Sequence, residues 1–179
     1  MNQNIVLIGF MGCGKSSIGR RLATRIKHSF HDSDDLIAAH LGKSISDIFA
    51  EEGEALFRER ETAELQGLLG SEGIVLATGG GAVLRAENRD ILHRMGRIIW
   101  LHADADTLFE RATRSRKRPL LEVENPRSTF NALLQSRLPI YEAMADIKVD
   151  ATGLSHEQTI EEIIKALGRA DERDTPRNG

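Results

Sequence analysis

An eight-residue run near the N-terminus, GFMGCGKS at residues 9–16, constrains the fold of this chain more than any other feature. It fits the pattern G-x-x-x-x-G-K-[ST] of a phosphate-binding loop, which is specific where it lies between a strand and a helix. Residues 5–8 before it, IVLI, are a short apolar run typical of a buried parallel strand. Residues 17–26 after it repeat apolar side chains at helical spacing. The sequence therefore predicts a strand, a phosphate-binding loop and a helix in succession.

The residues of this loop have distinct chemical roles. Glycines let the backbone curl so that its N–H groups point at phosphate oxygens, and the start of the next helix adds its dipole. Lys15 can reach the β- and γ-phosphates of a nucleotide, and the hydroxyl of Ser16 can hold Mg²⁺. Cys13, inside the loop, is either a redox-sensitive thiol beside the lysine or a small side chain that fills a variable position.

Length and composition limit the class of protein. A chain of 179 residues with 40% apolar side chains suits one domain with a full core. Its net charge of -3 gives no general attraction to nucleic acid or membranes, and no apolar run approaches the roughly 20 residues that span a bilayer. The single cysteine cannot form an internal disulfide, and the first strand begins too early to leave room for a signal peptide. These features predict a cytoplasmic protein, and a monomer because no apolar helix face is left over.

Strand-like and helix-like segments alternate along the rest of the chain. Further strands are expected at residues 29–31, 74–77, 97–101 and 147–149, with helices between them and a closing helix at 156–167. Between the second and third strands, one helix is expected to open at Ser44, with Asp47 at a spacing close to a capping box, and a longer helix is expected at 54–69. Such alternation implies the α/β class, with right-handed crossovers, a parallel sheet and helices on both faces. Ligands then bind beyond the carboxyl ends of the strands. The phosphate-binding loop and the unusual loops after the second and third strands meet there, which argues for a single site.

Two aspartates follow the second strand. Asp32 and Asp34 are two residues apart, so in an extended chain they share one face. Because Mg²⁺ usually keeps several waters and takes one or two carboxylates, one aspartate can serve the metal while the other accepts a hydrogen bond from a substrate hydroxyl. The alternative is a solvated turn in which Asp34 or Asp35 caps the following helix. The nearby phosphate-binding loop favours the functional interpretation.

Two arginines and a glycine run each allow two interpretations. Arg58 can form an exposed ion pair with Glu54 or Glu61 at helical spacing, and residue-level reasoning alone favours this over a ligand-binding role. Arg137 is either an exposed helical residue or an anion ligand. Three consecutive glycines at residues 79–81 cost backbone entropy. They are expected where a ligand touches main-chain N–H groups, unless they simply form a tight turn.

A basic segment places five cations in eight residues: Arg111, Arg114, Arg116, Lys117 and Arg118. It is a solvated charge run, a nucleic-acid patch or a lid over a nucleotide. The mildly acidic chain and the scarcity of nearby aromatic residues disfavour the nucleic-acid patch. A lid would bring a guanidinium group to a transferring phosphate, where negative charge spreads over the oxygens.

Taken in order along the chain, these motifs resemble the shikimate kinase family, which belongs to the nucleoside monophosphate kinase-like P-loop proteins. The likeness covers about residues 4–168. It rests on six segments: GFMGCGKS at 9–16, DSD at 32–34, FRERE at 57–61, GGG at 79–81, RPLL at 118–121 and RLPIY at 137–141. Each segment is weak or moderate evidence alone, but the set in this order is specific.

The resemblance implies transfer of the γ-phosphoryl group of ATP to the 3-hydroxyl of shikimate, on the route to chorismate and the aromatic amino acids. ATP is then the co-substrate and Mg²⁺ the cofactor, with no nucleic-acid or membrane partner. The implied fold is a three-layer P-loop fold whose five parallel strands have the order 2-3-1-4-5, with a mobile lid at about 112–126. The domain is expected to span residues 1–168, and the polar tail at 169–179 is expected to be disordered.

The same resemblance implies a role for each candidate residue. The nucleotide is held by the phosphate-binding loop and by Arg111 and Arg118, of which Arg111 lies against the adenine. The loop residues are Gly12, Cys13, Gly14, Lys15, Ser16 and Ser17. Asp34 holds the hydroxyls of shikimate, and Arg58 and Arg137 hold its carboxylate. The glycine turn, Gly79, Gly80 and Gly81, closes this pocket. The metal is served by Ser16 and Asp32. The expected catalytic residues are Lys15, Asp34 and, acting from the lid, Arg118.

Two other functions stay open at this point. One is a kinase for another small hydroxylated metabolite, such as gluconate or an amino analogue of shikimate. An uncharged polyol would give Arg58 and Arg137 no carboxylate to bind. The other is a nucleotide-binding regulatory module without turnover. That function predicts the loss of Lys15, Asp34 or the lid arginine, and all three are present.

Overall fold

The structure of the protein is a computed structural model that describes residues 3–114 and 123–174. Within these ranges five strands form one parallel sheet in the order β2-β3-β1-β4-β5. The strands are β1 (Ile5–Ile8), β2 (Ser29–Asp32), β3 (Ile74–Ala77), β4 (Arg97–His102) and β5 (Ile147–Asp150). The expected strand positions and the expected strand order are both confirmed.

Seven helices and one short 3-10 helix are described between and after the strands. They are α1 (Lys15–Ile26), α2 (Ser33–Leu41), α3 (Ile45–Gly67), the 3-10 helix (Ala82–Leu84), α4 (Ala86–Met95), α5 (Ala105–Thr113), α6 (Pro126–Met144) and α7 (His156–Asp174). Helix α1 packs against β2, β3 and α7, whereas α4 packs against β1 and β4, and α6 against β4. Strands lie on both sides of β1 in the sheet. Right-handed connections to the two sides place helices on both faces of the sheet. Among the described residues, none of the helices combines the length and apolarity that a bilayer crossing requires.

The main core lies on both sides of the central strands. Every residue of β1 and β3 is buried, which explains why these strands are continuous apolar runs rather than alternating ones. A second, smaller core lies between α2 and α3, where Ile37, Ile48 and Phe57 are buried together. This small core holds α3 beside the carboxyl edge of the sheet.

Two features of the helices differ from the sequence-based expectation. The helix expected to begin at residue 54 is continuous with the preceding one, and Gly53, with φ of 80°, marks a kink inside α3. Residues 169–174, expected to be disordered, continue α7 instead. They contain no glycine or proline, so a helix already anchored by packing propagates through them at little cost. The rest of the tail, at 175–179, and residues 115–122 of the expected lid lie outside the described residues.

Candidate active site

The phosphate-binding loop lies at the carboxyl end of β1, the central strand. Gly12 and Gly14 have φ of 85° and 88°, in the left-handed region that favours glycine, and Gly14 directly precedes the first residue of α1. A side chain on Gly12 would also collide with the carbonyl group of Leu108 on α5. The first N–H groups of α1 have no partners within the helix, so this tightly packed loop presents an anion-binding helix end.

Lys15 and Cys13 meet inside the loop. The ammonium of Lys15 donates hydrogen bonds to the carbonyl oxygens of Gly9, at 2.7 Å, and Phe10, at 3.2 Å, and lies 3.5 Å from Sγ of Cys13. Lys15 is thus held beside the phosphate-binding amides. Cys13 is fully buried, which favours the space-filling interpretation over a redox-sensitive thiol.

Ser16 and Asp32, the two expected metal ligands, are in direct contact. The Ser16 hydroxyl donates to Oδ2 of Asp32 at 2.6 Å, while Oδ1 of Asp32 accepts from the backbone N–H of Asp34 at 3.0 Å. Asp32 is therefore the N-cap of α2, a position that the alternative interpretation gave to Asp34 or Asp35. The carboxylate of Asp32 thus caps the helix and also accepts from Ser16. A single carboxylate beside a hydroxyl suits Mg²⁺, which takes few protein ligands.

Two neighbouring cavities open along the carboxyl edge of the sheet. The first, of about 460 Å³, follows the phosphate-binding loop, and the second, of about 420 Å³, lies between α2, α3 and α6. Five residues line both cavities: Met11, Asp34, Asp35, Gly79 and Gly80. Asp34 thus lies where a group bound in one cavity would meet a group bound in the other.

The first cavity is lined by the expected nucleotide-binding residues of the described chain except Cys13, which is buried behind them. It is lined by Gly12, Gly14, Lys15, Ser16, Ser17, Asp32, Arg111 and His156, among others. Arg111 approaches the carbonyl oxygen of Leu154 at 3.5 Å on its rim. Burial, together with the positive charges of Arg21 and Arg111, lowers the pKa of His156 and so favours its neutral imidazole.

The second cavity has one apolar wall and one polar wall. The apolar wall comes from α2 and α3: Ala38, Ile45, Phe49 and Phe57. Opposite it lie the glycine turn and the polar groups Asp34, Arg58 and Arg137. A small molecule with an apolar ring face, hydroxyls and an acidic group fits such a cavity.

Arg58 in this cavity forms the ion pair that helical spacing predicts, but the pair is not at the surface. Its Nη1 lies 2.9 Å from Oε2 of Glu61 and its Nη2 lies 3.2 Å from Oε1 of Glu54. The side chain of Glu61 is 0% exposed and that of Arg58 is 14% exposed. Arg58 therefore forms an ion pair and can also bind a ligand. One edge of its guanidinium pairs with a buried carboxylate, while the residue lines the cavity.

The charge state of Glu61 is set by competing effects. Burial raises the pKa of Glu61 to about 7, the positive charges of Arg58 and Arg85 oppose this rise, and the negative charge of Asp34 adds to it. Burial also disfavours the charge of Arg58, but Glu61 and Glu54 outweigh it and raise the pKa of Arg58. Arg58 stays charged, while Glu61 titrates near neutral pH.

The glycine turn lies between the two arginines. Arg137 is 6% exposed, so the exposed-residue alternative is wrong, and its Nη1 donates to the carbonyl oxygen of Gly80 at 3.2 Å. Tyr141 donates to the same oxygen at 2.6 Å. On the other side, a Cβ on Gly81 would lie 2.8 Å from Cζ of Arg58. Glycine is therefore needed at residue 81 for the close approach of Arg58. The fork geometry of two guanidinium groups suits a planar carboxylate.

Comparison with known proteins places this geometry in a family. The sequence model described as "SKI: Shikimate kinase" matches residues 11–168. The chain belongs to the shikimate kinase family. It is 44% identical to a shikimate kinase of Pseudomonas putida over 92% of this chain and 96% of that protein, and 43% identical to one of Neisseria gonorrhoeae over 94% and 98%. A solved shikimate kinase of Acinetobacter baumannii in complex with shikimate superposes with a TM-score of 0.91, 36% identity and 95% coverage of both chains.

Membership of the shikimate kinase family confirms the resemblance carried by the six segments, and the P-loop fold with it. Among the expected site residues, all but one are described and lie at the carboxyl edge of the sheet. Arg118 lies outside the described residues. The individual roles of the site residues stay predictions.

Residue-level reasoning missed the importance of Glu61. Helical spacing alone makes this glutamate one possible surface partner of Arg58. A signal was available, because Phe57, Glu61 and Leu65 recur every four residues and therefore share one face of α3. A glutamate between two large apolar residues on one helix face is expected to be buried and paired.

Proposed function

We propose that this protein catalyses ATP-dependent phosphorylation of shikimate at its 3-hydroxyl, giving shikimate 3-phosphate and ADP. The observation that carries the proposal is the placement of Arg58 and Arg137 on either side of the glycine turn, in a cavity that joins the phosphate-binding loop at Asp34. Relatives at 43–44% identity are named shikimate kinases, and a structural neighbour at 36% identity is described with shikimate bound.

Catalysis in this proposal depends mainly on positioning. Phosphoryl transfer passes through a loose transition state, so aligning the two oxygens and neutralising charge matter more than a strong base. Lys15 and the N-terminal amides of α1 hold the phosphates, and the two arginines hold the acid. Asp34, at the junction of the two cavities, accepts a hydrogen bond from the acceptor hydroxyl and orients it towards the γ-phosphate.

For the metal we propose Mg²⁺, held through Ser16 and Asp32. Their contact at 2.6 Å beside Lys15 offers one hydroxyl and one carboxylate, which suits an ion that completes its shell with water and phosphate oxygens. When bound, Mg²⁺ neutralises charge on the phosphate oxygens. Among the described residues no group of three or more metal-binding side chains exists, so the nucleotide would complete the site.

Other parts of the proposal come from the sequence. Arg118 contacts the transferring phosphate from the lid, and Arg111 lies against the adenine. The protein acts in the cytoplasm. It acts as a monomer, and light scattering after size-exclusion chromatography would check its molar mass.

The proposal is tested with a coupled ADP-release assay across small hydroxy acids, including shikimate and gluconate. We expect turnover with shikimate, and turnover confined to another acid would contradict the proposal. Arg58→Leu should raise the KM for shikimate far more than that for ATP, because it removes a carboxylate ligand. Arg60→Leu, an exposed neighbour on the same helix, is the matched control and should leave both constants near wild type.

A further inference from the structure

Arg85 connects the segment after the glycine turn to the helix that carries Arg58. It lies between the 3-10 helix and α4. Its Nη1 donates to the backbone carbonyl of Arg58 at 3.1 Å and to Oγ1 of Thr62 at 3.2 Å. Arg85 lines neither of the two cavities, so it reaches the site through α3 rather than through a ligand.

A buried polar chain continues this connection. The hydroxyl of Thr62 donates to Oδ1 of Asn88 at 2.7 Å, and Nδ2 of Asn88 donates to the carbonyl of Ala82 at 2.9 Å. Asn88 is 0% and Thr62 6% exposed. Ala82 directly follows the glycine turn, so these bonds tie α3 to the backbone that the two arginines flank. Buried polar chains of this kind hold a single arrangement, because breaking one bond leaves its partner unsatisfied.

Arg85 also contributes charge. The bonds above join it to neutral oxygens, and its positive charge acts on Glu61. Three charged groups face Glu61: Arg58 from the same helix, Asp34 from α2 and Arg85 from the segment before α4. Arg85 therefore favours ionised Glu61, which is the form that pairs with Arg58.

We infer that Arg85 is a positioning residue for the carboxylate of the acceptor, which it serves by fixing Arg58 against the glycine turn through its bonds to the carbonyl of Arg58 and to Thr62. This inference rests on the proposed function, because it concerns binding of the same acid. It assigns Arg85 no contact with either substrate.

The experiment compares Arg85→Gln with Arg89→Gln as a matched control. Arg89 donates to the carbonyls of Val83, at 2.9 Å, and Leu84, at 3.1 Å, and so binds the same 3-10 helix without reaching α3. The KM values for shikimate and ATP are measured from pH 5.5 to 8.5, together with the unfolding midpoint. We expect Arg85→Gln to raise the KM for shikimate about tenfold, since it removes hydrogen bonds at two acceptors, and to change the KM for ATP less than about twofold.

A second readout separates this role from general loss of structure. Ionisation of Glu61 should produce a step in the pH profile of the KM for shikimate. Arg85→Gln should move that step to higher pH, whereas Arg85→Lys, which keeps the charge, should leave it in place. An unchanged KM for shikimate in Arg85→Gln, equal rises for both substrates, or an equal effect of Arg89→Gln would overturn the inference.

Two further comparisons complete the design. If Arg85→Gln does not fold, Arg85→Lys is set against Arg89→Lys, and a raised KM for shikimate in Arg85→Lys alone supports the inference, whereas equal values overturn it. Absence of shikimate turnover in the wild-type protein would refute the proposed function itself. Normal wild-type turnover with an unaffected Arg85→Gln variant would refute the role of Arg85 alone.

Discussion

Nη1 of Arg58 donates to Oε2 of Glu61 at 2.9 Å, in an ion pair whose acidic member is fully buried and whose basic member lines the second cavity. A substrate carboxylate bound to Arg58 would therefore share its guanidinium with an internal carboxylate. The internal partner orients the fork, but its charge also weakens attraction for a second anion. Which effect dominates depends on whether Glu61 is ionised.

The first prediction concerns the pH dependence of shikimate binding. Burial raises the pKa of Glu61 to about 7, so Glu61 is neutral in mild acid and ionised above neutral pH. We expect the KM for shikimate to rise as pH increases through about 7, because ionised Glu61 neutralises Arg58. Glu61→Gln should abolish this step. Glu54→Gln, which removes the exposed partner, should retain it, and a step that survives in Glu61→Gln would assign the titration elsewhere.

The second prediction concerns stability. The folded protein holds the Glu61 proton up to about pH 7, whereas the unfolded chain releases it near its ordinary pKa of 4.5. Between these values the folded state binds more protons, so the free energy of unfolding should fall as pH rises, relative to Glu61→Gln, by at most about 1.4 kcal/mol per pH unit. Urea unfolding at pH 5, 6, 7 and 8 measures the difference. If the free energy of unfolding of the wild type instead rises with pH relative to that of Glu61→Gln, the raised pKa is contradicted.

The third prediction concerns the glycine turn. Gly81→Ala places a methyl group 2.8 Å from Cζ of Arg58, so the guanidinium must move away. We expect a KM for shikimate raised by about tenfold or more, since displacement of about 1 Å disrupts a bidentate contact. Gly67→Ala is the control, because nothing lies within 4 Å of its Cβ position near the end of α3. Equal kinetics in the two variants would show that close approach at residue 81 is unimportant.

Much of the fold could be predicted because its signals are local. The phosphate-binding loop has a fixed spacing between a strand and a helix, and β1 and β3 are buried apolar runs in sequence and in structure. The capping box at the start of α3 is equally local, and Ser44 accepts from the N–H of Asp47 at 3.2 Å as expected. The strand order came from the resemblance to a family, since alternation alone allows other orders.

The rest depends on contacts between distant segments. The ion pair of Arg58 and Glu61 has the spacing of a surface pair, and its burial results from packing of α3 beside the glycine turn. The bond from Arg85 to the carbonyl of Arg58 joins residues 27 positions apart, so no periodicity signals it. The helical end of the tail has no apolar face to signal it, although residues 169–174 contain no glycine or proline that would end a helix.

The fourth prediction tests the lid arginine, which lies outside the described residues. Arg118→Ala should lower kcat by about a hundredfold or more, because a guanidinium on the transferring phosphoryl group can contribute roughly 10³-fold in rate. The KM for shikimate should stay near the wild-type value, since the proposed ligands of its carboxylate are Arg58 and Arg137. Lys117→Ala is the neighbouring control, and we expect it to retain turnover. Normal kcat in Arg118→Ala would exclude the role.

The last prediction separates the two roles of Asp32, which caps α2 and accepts from Ser16. Asn caps a helix as well as Asp does, so Asp32→Asn should keep the wild-type unfolding midpoint while weakening the hold on a cation. Asp32→Ala should lose both, with stability reduced by about 1 kcal/mol and the midpoint lowered by roughly 2–4 °C.

Activity is then measured as Mg²⁺ is varied at saturating ATP and shikimate. We expect both variants to need more Mg²⁺ for half-maximal rate, with only Asp32→Ala losing stability. If Asp32→Asn keeps both the midpoint and the wild-type Mg²⁺ requirement, Asp32 acts as a helix cap alone. The contact with Ser16 would then be structural, and the metal would be held without this carboxylate.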